Sequence, residues 1–522
     1  MQNTFYITTA LYYSNGSLHI GHAYEAVAAD TMARYKRLRG YDVKLLTGMD
    51  EHGQKIEQAA AKMRLSPQEQ VDSIAKLTQQ LWHTLNIDYN IFWRTTDSCH
   101  KQAVQKIFKK LYDSGDIYKG SYEGLYCTPC EAFYTELQLD SNRCPHCERE
   151  VSAIKEEAYF FKMSKYQNRL MEYIQNNPEF IQPKSRENEM INNFLKPGLD
   201  DLCVSRTSFK WGIPIDFEPS HVVYVWLDAL SNYITALGYM QNDDTSYKKY
   251  WPADVHVVGK DIMRFHTIIW PCILMALDVP LPKKVFGHGW LNIDGKKIGK
   301  SFGNGIDPSF LVSRYGVDAI RYFLMREVAF GVDGTFSYES LILRINADLA
   351  NDIGNLLSRT VGMIDKYFGA TLPQDHLPTA FDKGLIELCV TTVSSTSKFM
   401  DNMQFSDALI AIWTLIGASN KYIDEVMPWK LAKQEDKRQE LAACLYNLAE
   451  ILRTLAVLIS PVMPNTPSAI YNQLNITDNS LKSWDSIQAF GALAKNVSIT
   501  KGAIVFPRLE LEKEIELLNQ EI

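Results

Sequence analysis

The sequence predicts an α/β fold in which an insertion splits a parallel-sheet domain, and an all-α helical bundle follows. Three observations predict this fold. Strand and helix patterns alternate over residues 1–115 and again over 221–290, a region rich in cysteine and tyrosine separates these halves, and long amphipathic helices replace the strands beyond about residue 345. The predicted regions are the first half of the sheet domain (1–115), the insertion (116–220), the second half (221–290), a basic connecting region (291–345), the helical bundle (346–470) and a tail that packs back on the body (471–522).

The composition indicates a globular chain without membrane segments. With 46% hydrophobic residues, the 522-residue chain is long enough for several cores. Its longest apolar stretch, 265–281, is too short to span a bilayer and is interrupted by polar residues and a proline. The N-terminus lacks the pattern of a signal peptide, so we expect a cytoplasmic protein. The net charge of −7 argues against a general affinity for nucleic acid, DNA included, and RNA would need a local basic groove.

The first elements form a parallel βαβ unit. Residues 5–11 and 41–48 have the composition of strands, and 19–40 have helical periodicity. The segment Ser66-Pro-Gln-Glu69 is a capping box that begins another helix, and 87–96 is a further strand candidate. Ligands of such sheets bind at the carboxyl ends of the strands.

Two histidines lie in the first turn of the first helix. His19 and His22 are three residues apart and share one face, and Gly21 between them allows a ligand to approach the backbone. A helix N-terminus presents N–H groups and a partial positive charge, which favours a triphosphate site. On its own, the tetrapeptide is about as often a coincidence as a functional motif, but its position after the first strand favours the functional interpretation.

A Lys-rich loop is the second candidate. Lys297, Lys300 and Ser301 lie among glycines in the segment WLNIDGKKIGKSFGN. Two ammonium groups can hold an α-phosphate and the departing pyrophosphate, and they stabilise the charge that develops in nucleotidyl transfer. Without a partner motif, such a segment is more often a solvated basic loop.

Four of the nine cysteines form two C-x₂-C pairs in the insertion, namely Cys127, Cys130, Cys144 and Cys147. This spacing suits tetrahedral Zn²⁺, and four protein ligands leave no open position for a catalytic water. We therefore expect one structural zinc ion. A redox dithiol is the less favoured alternative, and His146 could replace a neighbouring thiolate.

Together, the histidine turn and the basic loop resemble the HIGH and KMSKS signatures of the class I aminoacyl-tRNA synthetases, whose catalytic domain is a split Rossmann-type fold. Ile298 and Gly299 depart from the second signature, whereas both lysines and the serine remain. The segments TTALYYSNGSLHIGHAYEA, TGMDEHG, VVYVWLDALSNYITALGY, GKDIMRFHTIIWP and FGHGWLNIDGKKIGKS resemble the methionyl-tRNA synthetases. The insertion is too short for the editing domain of the valine, isoleucine and leucine enzymes.

The resemblance implies which residues bind methionine and ATP. Asp50 would hold the substrate ammonium, His288 and Gly289 would border the adenosine, and Arg206 would meet a phosphate or carboxylate. A thioether offers little to hydrogen-bond, so an aromatic and polarisable pocket suits it. From periodicity alone, a buried helical face is the more frequent explanation for Trp226 and Tyr233. The implied side-chain pocket consists of Leu11, Tyr13, Trp226, Ala229, Tyr233, Ile262 and His266, with Trp270 nearby.

The resemblance also implies that Asn355, Arg359 and Trp429 read the anticodon, since exposed aromatic and amide side chains bind unpaired bases. A tryptophan after a proline is otherwise more often a core residue. The tail contains a strand-like segment, 503–507, and an acidic helix, and it resembles no further tRNA-binding domain. Because longer members often dimerise through that domain, we expect a monomer.

The activity implied is that of a methionine–tRNA ligase, which uses ATP with Mg²⁺ to form methionyl-adenylate and then loads the 3′-terminal adenosine of tRNA(Met). His19, His22, Lys297 and Lys300 would act as electrostatic clamps. One alternative is another small-substrate adenylylating enzyme, in which the helical region would have no purpose. The other is a non-catalytic tRNA-binding paralogue, against which the four intact clamp residues argue.

Overall fold

The structure is a computed structural model that describes residues 3–127, 132–134, 139, 143–145, 148–293, 296–297, 305–373, 377–494 and 496–520. The chain divides into two compact units. The first unit comprises residues 1–18, 42–83 and 88–289, and the second comprises 19–41, 84–87 and 290–522.

Strands occur mainly in the first unit. In chain order, the strands are β1 (Thr4–Tyr13), β2 (Asp42–Asp50), β3 (Ile91–Arg94), β4 (Ile117–Cys127), β5 (Ala132–Tyr134), β6 (Ser152–Phe161), β7 (Ile181–Gln182), β8 (Leu202–Cys203), β9 (Ser205–Arg206), β10 (Pro214–Ile215), β11 (Glu218–Val223), β12 (Val255–Gly259), β13 (Val285–His288), β14 (Leu291–Ile293), β15 (Lys296–Lys297) and β16 (Gly334–Thr335).

Helices occur in both units. In chain order, the α-helices are α1 (Ile20–Leu38), α2 (Gln54–Met63), α3 (Pro67–Thr84), α4 (Ser98–Asp113), α5 (Gln167–Asn176), α6 (Lys184–Met190), α7 (Val225–Thr235), α8 (Thr245–Tyr250), α9 (Trp270–Leu277), α10 (Pro308–Tyr315), α11 (Val317–Arg326), α12 (Tyr338–Arg344), α13 (Asn355–Phe368), α14 (Asp382–Asp401), α15 (Phe405–Val426), α16 (Pro428–Leu431), α17 (Arg438–Ile459), α18 (Thr466–Gln473) and α19 (Leu511–Gln520). Short 3-10 helices span Met163–Tyr166, Lys260–Ile262, Glu435–Lys437, Asn479–Lys482 and Asp485–Ile487, and π-helical segments span Ile191–Leu195, Phe265–Ile269 and Ile345–Gly354.

The first unit contains the predicted parallel sheet. Its strand order is β3-β2-β1-β12-β13-β7, and every neighbouring pair is parallel. β1 is largely buried along its whole length, as expected of a strand covered on both faces. The insertion forms a separate sheet, β5-β4-β6-β8, whose pairs are antiparallel. The prediction of a parallel sheet split by an insertion is therefore confirmed.

The capping box predicted at the start of α3 is also confirmed. The Ser66 amide donates to Glu69 Oε2 at 2.9 Å, and the Glu69 amide donates to Ser66 Oγ at 3.3 Å. The tail differs from its prediction in one respect. The acidic helix forms as α19, but residues 503–507 are not a strand.

The second unit contains a helical bundle around α17. This helix packs against α13, α14, α15 and α18, and its residues from Leu441 to Ile459 are all buried. Within the described part of the chain, the helical segment Glu435–Ile459 is the one long and apolar enough to cross a membrane, and its apolar part is wholly buried inside the protein. Burial on every side explains why most of its residues are apolar, and its buried charges compensate each other, with Arg453 Nη2 lying 2.7 Å from Glu450 Oε1.

A buried arginine connects four segments of the second unit. Arg321 has no exposed surface, and it donates to the carbonyl oxygens of Val462 at 2.8 Å, Pro461 at 3.1 Å and Leu85 at 3.1 Å. Its guanidinium also lies 2.6 Å from Asp30 Oδ2 in α1. Burial of the guanidinium lowers the pKa of Arg321. The charge is compensated within the core, as buried charges must be.

We expect Arg321→Met to destabilise the second unit by about 3–5 kcal/mol, because buried carbonyls lose their donor and Asp30 loses a cation. The control is Arg344→Met, which removes a partly exposed ion pair with Glu327 and should cost about 1 kcal/mol or less. Urea unfolding followed by circular dichroism measures both losses. Similar losses in the two variants would contradict a central role for Arg321.

Candidate functional site

The first unit presents its candidate residues at one edge of the parallel sheet. β1 ends at Tyr13 and β2 at Asp50, which are paired in register. β12 ends at Gly259 and β13 at His288, which are likewise paired. The strand order reverses between β1 and β12, and a crevice for ligands is expected at this position in such sheets.

One side of this region is aromatic. The Trp226 indole stacks on the Phe265 ring with centroids 3.6 Å apart and planes inclined by 8°. Trp226 Nε1 has no hydrogen-bond partner within the described part of the chain. Phe265 was not among the predicted site residues, although it lies in the segment GKDIMRFHTIIWP. The stack gives this region a flat, polarisable surface.

A polar pair lies among these rings. Tyr233 Oη is 2.8 Å from His266 Nε2, and His266 Nδ1 is 2.9 Å from the carbonyl oxygen of Ile262. A carbonyl can only accept, so Nδ1 carries the ring proton and Nε2 accepts from the tyrosine hydroxyl. Burial lowers the pKa of His266 to about 4. The imidazole is therefore neutral at physiological pH.

The other predicted pocket residues belong to the same core. Ala229 and Tyr233 are buried on α7. The half-buried members that pack against this core are Leu11, Tyr13, Trp226 and Ile262, and Trp270 is buried within it. Asp50 is also buried, at the end of β2. Most of the predicted methionine-pocket residues therefore lie in or against one core cluster of the first unit.

His288 is the last residue of β13, and Gly289 follows it. His288 is buried, and its Nδ1 lies 2.8 Å from the carbonyl oxygen of Gly289.

Arg206, on β9, is buried with its guanidinium 4.2 Å from the centre of the Tyr126 ring. A cation held against an aromatic face keeps its charge with little water around it.

Sequence reasoning missed a buried polar network behind this edge. Asp228 on α7 accepts from His52 Nδ1 at 2.7 Å and from His100 Nε2 at 2.8 Å. Burial of the carboxyl raises the pKa of Asp228, but electrostatic interaction and hydrogen bonding with His52 and His100 outweigh burial and lower the pKa overall. A carboxylate on a helix that is buried along almost its whole length requires a buried partner, and that requirement was the available signal.

In the second unit, the paired histidines cap α1. His19 Nδ1 accepts from the Gly21 amide at 3.1 Å, and His22 Nδ1 accepts from the His19 amide at 3.1 Å. In each neutral ring the proton is then on Nε2, a suitable donor to a phosphate oxygen. A Cβ at Gly21 would lie 3.0 Å from the His19 ring, so a side chain at this position would crowd the capping imidazole.

The basic loop returns to this same helix turn. β15 pairs with β14 through Lys297 and Asn292, and after the loop the Ile306 carbonyl accepts from the Ile20 amide at 3.1 Å. The side chain of Lys297 and the whole of Lys300 and Ser301 lie outside the described residues. The main chain nevertheless joins the end of the loop to the turn that holds the two histidines.

The cysteine pairs are described in part. Cys127 and Cys144 are buried in one cluster with Val151, and Cys130 and Cys147 lie outside the described residues. The Glu148 amide donates to the Cys144 carbonyl at 2.8 Å, and the Cys144 amide donates to the Arg149 carbonyl at 2.9 Å. This tight turn and the shared burial of two thiols fit the predicted metal-binding knuckles.

A different group of metal-ligand types occurs among the described residues. Glu157, Glu218 and His221 lie close enough to share an ion. However, the Lys119 ammonium is 2.8 Å from Glu157 and 2.7 Å from Glu218. This ammonium group already forms ion pairs with both carboxylates, so the group does not resemble a metal centre.

The helical bundle exposes the three predicted anticodon residues to different extents. Asn355 is exposed, and Arg359, one turn later on α13, is half-buried with its guanidinium 2.7 Å from Asp424. Trp429 is 40% exposed on α16. The alternative explanation of Trp429 as a core residue is therefore wrong.

Comparisons with known proteins cover nearly the whole chain. Residues 5–154 and 149–361 match the family described as class I tRNA synthetases (M), and residues 372–520 match the anticodon-binding domain of methionyl-tRNA ligase. The methionine–tRNA ligase of Caldanaerobacter subterraneus subsp. tengcongensis is 58% identical over 520 residues, which are 100% of this chain and 81% of the relative. That of Bacillus subtilis is 55% identical over 529 residues, covering 99% of this chain and 80% of the relative.

Solved structures are similar over the same length. A Mycobacterium tuberculosis methionyl-tRNA synthetase in complex with methionyl-adenylate has a TM-score of 0.93 and 39% identity, covering 97% of this chain and 100% of that one. The apo form of the Mycobacterium tuberculosis enzyme has a TM-score of 0.86 and 37% identity, covering 98% of this chain and 99% of that one.

The neutral state of His266 predicts a pH-dependent stability. Because the folded pKa is about 4 and the unfolded value is ordinary, the unfolded chain binds the extra proton first as the pH falls. Stability is therefore present above the unfolded pKa and is lost as the pH falls toward the folded one, by about 2 kcal/mol between pH 7 and pH 5.

We expect His266→Gln to remove this part of the pH dependence. Urea unfolding of the wild type and the variant at pH 7 and pH 5 measures this effect. The free energy of unfolding should fall less in the variant than in the wild type between these two pH values. The exposed His83, replaced by Gln, is the control and should retain the wild-type dependence. An unchanged pH dependence in His266→Gln would show that the imidazole is not held neutral.

Proposed function

The chain belongs to the class I methionyl-tRNA synthetases, and from this premise we propose how its residues activate L-methionine with ATP and load it onto tRNA. Its activity is that of a methionine–tRNA ligase. The observation that carries the proposal is the hydrogen bond between Ile20 and Ile306, which joins the end of the lysine loop to the histidine turn of α1.

The proposed methionine site uses the aromatic region of the first unit. The thioether would lie against the Trp226 and Phe265 rings, where dispersion and sulfur–aromatic contacts are favourable. Tyr233 and the neutral His266 would provide weak polar contacts, since a charged imidazolium would not suit a thioether. The buried carboxylate of Asp50 would pair with the substrate ammonium. The remaining proposed contacts are Leu11, Tyr13, Ala229 and Ile262.

The proposed ATP site consists of hydrogen-bond donors and ammonium groups that stabilise negative charge and transfer no proton in the reaction. His19 and His22 would donate from Nε2 to phosphate oxygens, because their Nδ1 atoms already accept backbone amides. Lys297 and Lys300 would hold the α-phosphate and the pyrophosphate. ATP enters with Mg²⁺, which neutralises the pyrophosphate. The further contacts proposed for the nucleotide are Gly21, His288, Gly289 and Ser301.

The reaction then follows in two substitutions. A carboxylate oxygen of methionine attacks the α-phosphorus of ATP, the bond to the bridging oxygen breaks, and pyrophosphate leaves. A ribose hydroxyl of the tRNA 3′-terminal adenosine next attacks the carbonyl carbon of the adenylate, loses its proton, and AMP leaves. The four clamp residues stabilise developing charge on phosphate oxygens, so no covalent enzyme intermediate is needed.

We propose structural zinc in the insertion, held by the thiolates of Cys127, Cys130, Cys144 and Cys147. The ion would cross-link the knuckles, which have little apolar core of their own. The shared cluster of Cys127 and Cys144 supports this assignment.

We propose that Asn355, Arg359 and Trp429 read the anticodon of tRNA(Met). Exposure of Trp429 leaves its ring available to stack on an unpaired base, while the amide and guanidinium of α13 hydrogen-bond base edges. The negative net charge indicates local recognition of tRNA without affinity for DNA. We further propose a monomer that acts in the cytoplasm, where its substrates occur together.

The activity is tested by methionine-dependent exchange of labelled pyrophosphate into ATP. We expect exchange with methionine alone among the twenty amino acids. Lys300→Ala should slow exchange about 10²–10³-fold with little change in methionine binding, because the lysine acts on charge that develops in the transition state. Lys383→Ala, which removes an 86% exposed lysine on α14, is the control. Equal losses of exchange and methionine binding in Lys300→Ala would contradict the assigned role.

The zinc assignment is tested by elemental analysis of the purified chain. We expect about one zinc ion per chain, as four thiolates at this spacing require. Cys144→Ala should lower the zinc content, whereas Cys389→Ala, at a buried cysteine of the second unit, should not. A zinc-free, fully active chain with a disulfide in the insertion would favour the redox alternative.

A further inference from the structure

We propose that the network of His52, Asp228 and His100 positions the two ends of the methionine site relative to each other. The network makes no proposed contact with substrate. The inference rests on the roles proposed above for Asp50 and for the aromatic pocket.

The network joins the end of β2 to the pocket helix α7. His52 follows Asp50 by two residues, and Asp228 lies between Trp226 and Ala229. The hydrogen bond from His52 Nδ1 to Asp228 Oδ2, 2.7 Å long, therefore spans from the ammonium end of the site to its side-chain end. Methionine must fit both ends at once, so this bond sets the distance that the substrate has to match.

His100 fixes the other oxygen of the carboxylate. The Trp93 indole N–H can only donate, and it lies 3.2 Å from His100 Nδ1, so that nitrogen accepts. His100 Nε2 then carries the proton and donates to Asp228 Oδ1 at 2.8 Å. Thr235 Oγ1, also on α7, lies 2.8 Å from His100 Nδ1. His100 therefore contacts α7 at two residues, Asp228 and Thr235.

The segment after Asp50 is held from its other side as well. The Trp211 indole donates to the Glu51 carbonyl at 2.6 Å, and the Gly53 amide donates to the Trp211 carbonyl at 3.0 Å. The His52 and Trp211 rings also pack together, with centroids 5.6 Å apart. This segment is therefore fixed on its Trp211 side, and the His52–Asp228 bond connects it to α7.

Stability alone does not explain a carboxylate at position 228. Asp228 and His100 have no exposed surface, and the neighbours of Asp228 on α7 include Leu227 and Leu230. Buried charged groups of this kind can often be replaced by apolar residues of similar volume without loss of stability. What an apolar replacement cannot provide is the fixed direction of two hydrogen bonds. Groups that orient direct ligands typically change function 10–100-fold when removed.

The test compares Asp228→Asn with Asp116→Asn. Asp116 is another buried carboxylate of the first unit, held by Lys165 and Tyr166, and it has no proposed part in the site. We expect Asp228→Asn to raise the KM for methionine about 10–100-fold in pyrophosphate exchange and to leave the KM for ATP unchanged. Asp116→Asn should change neither value.

Two inhibitors separate positioning from general damage. Methioninol carries the ammonium and the thioether, whereas 4-(methylthio)butan-1-ol lacks the ammonium. Loss of positioning in Asp228→Asn should weaken methioninol and leave the second compound unaffected, because only the first must match both ends. Equal weakening of both compounds would show a structural collapse of the pocket and overturn the proposal.

Variants at His52 keep the test decisive if Asp228→Asn does not fold. His52→Asn retains a donor near the position of Nδ1 and should preserve methionine binding, whereas His52→Leu should behave as Asp228→Asn. Normal methionine KM in His52→Leu or Asp228→Asn would overturn the inference. A normal KM for methionine in Asp50→Asn would show that Asp50 does not bind the substrate ammonium, and would overturn that part of the proposed function.

Discussion

The direction of six strands determines where chemistry can occur in the first unit. Because all neighbours in β3-β2-β1-β12-β13-β7 are parallel, Tyr13, Asp50 and His288 end their strands at one edge. The strand order reverses between β1 and β12, and ligands of parallel sheets bind in the crevice at such a position. Residues far apart in sequence therefore meet there, and the pocket helix α7 contributes its aromatic face to the same region.

Burial imposes a second constraint on this region, because each polar group behind the edge requires a defined proton arrangement. The carbonyl of Ile262 forces the proton of His266 onto Nδ1, and the indole of Trp93 forces that of His100 onto Nε2. One histidine therefore presents an acceptor toward Tyr233, and the other presents a donor toward Asp228. The pocket stays neutral while the carboxylate beneath it stays charged, so electrostatics and shape are set by the same hydrogen bonds.

The sequence allowed the order of strands and helices to be predicted, since periodicity and helix-capping patterns are local, whereas the individual site residues were proposed from the family resemblance. The strands β1 and β2, the capping box at Ser66 and the histidine turn all follow from neighbouring residues. Pairings over long separations could not be predicted in this way. His52 and Asp228 are 176 residues apart, and nothing local in either segment specifies the other. The same reason applies to the stack of Phe265 on Trp226, and the strand predicted at 503–507 failed because it has no neighbouring strand to pair with among the described residues.

Ile298 and Gly299 depart from the KMSKS pattern, and the contacts at the two ends of the loop do not depend on them. Before them, the backbone of Lys297 pairs with Asn292 in β14, and after them Ile306 accepts from Ile20 in the first turn of α1. Both anchors are main-chain hydrogen bonds, which do not depend on the side chains at 298 and 299. The path of the chain into and out of the loop is therefore independent of those substitutions. Because Lys297, Lys300 and Ser301 are retained, the residues proposed for the chemistry are the same as in the KMSKS pattern, and the attachment of the loop's end to the histidine turn does not involve positions 298 and 299.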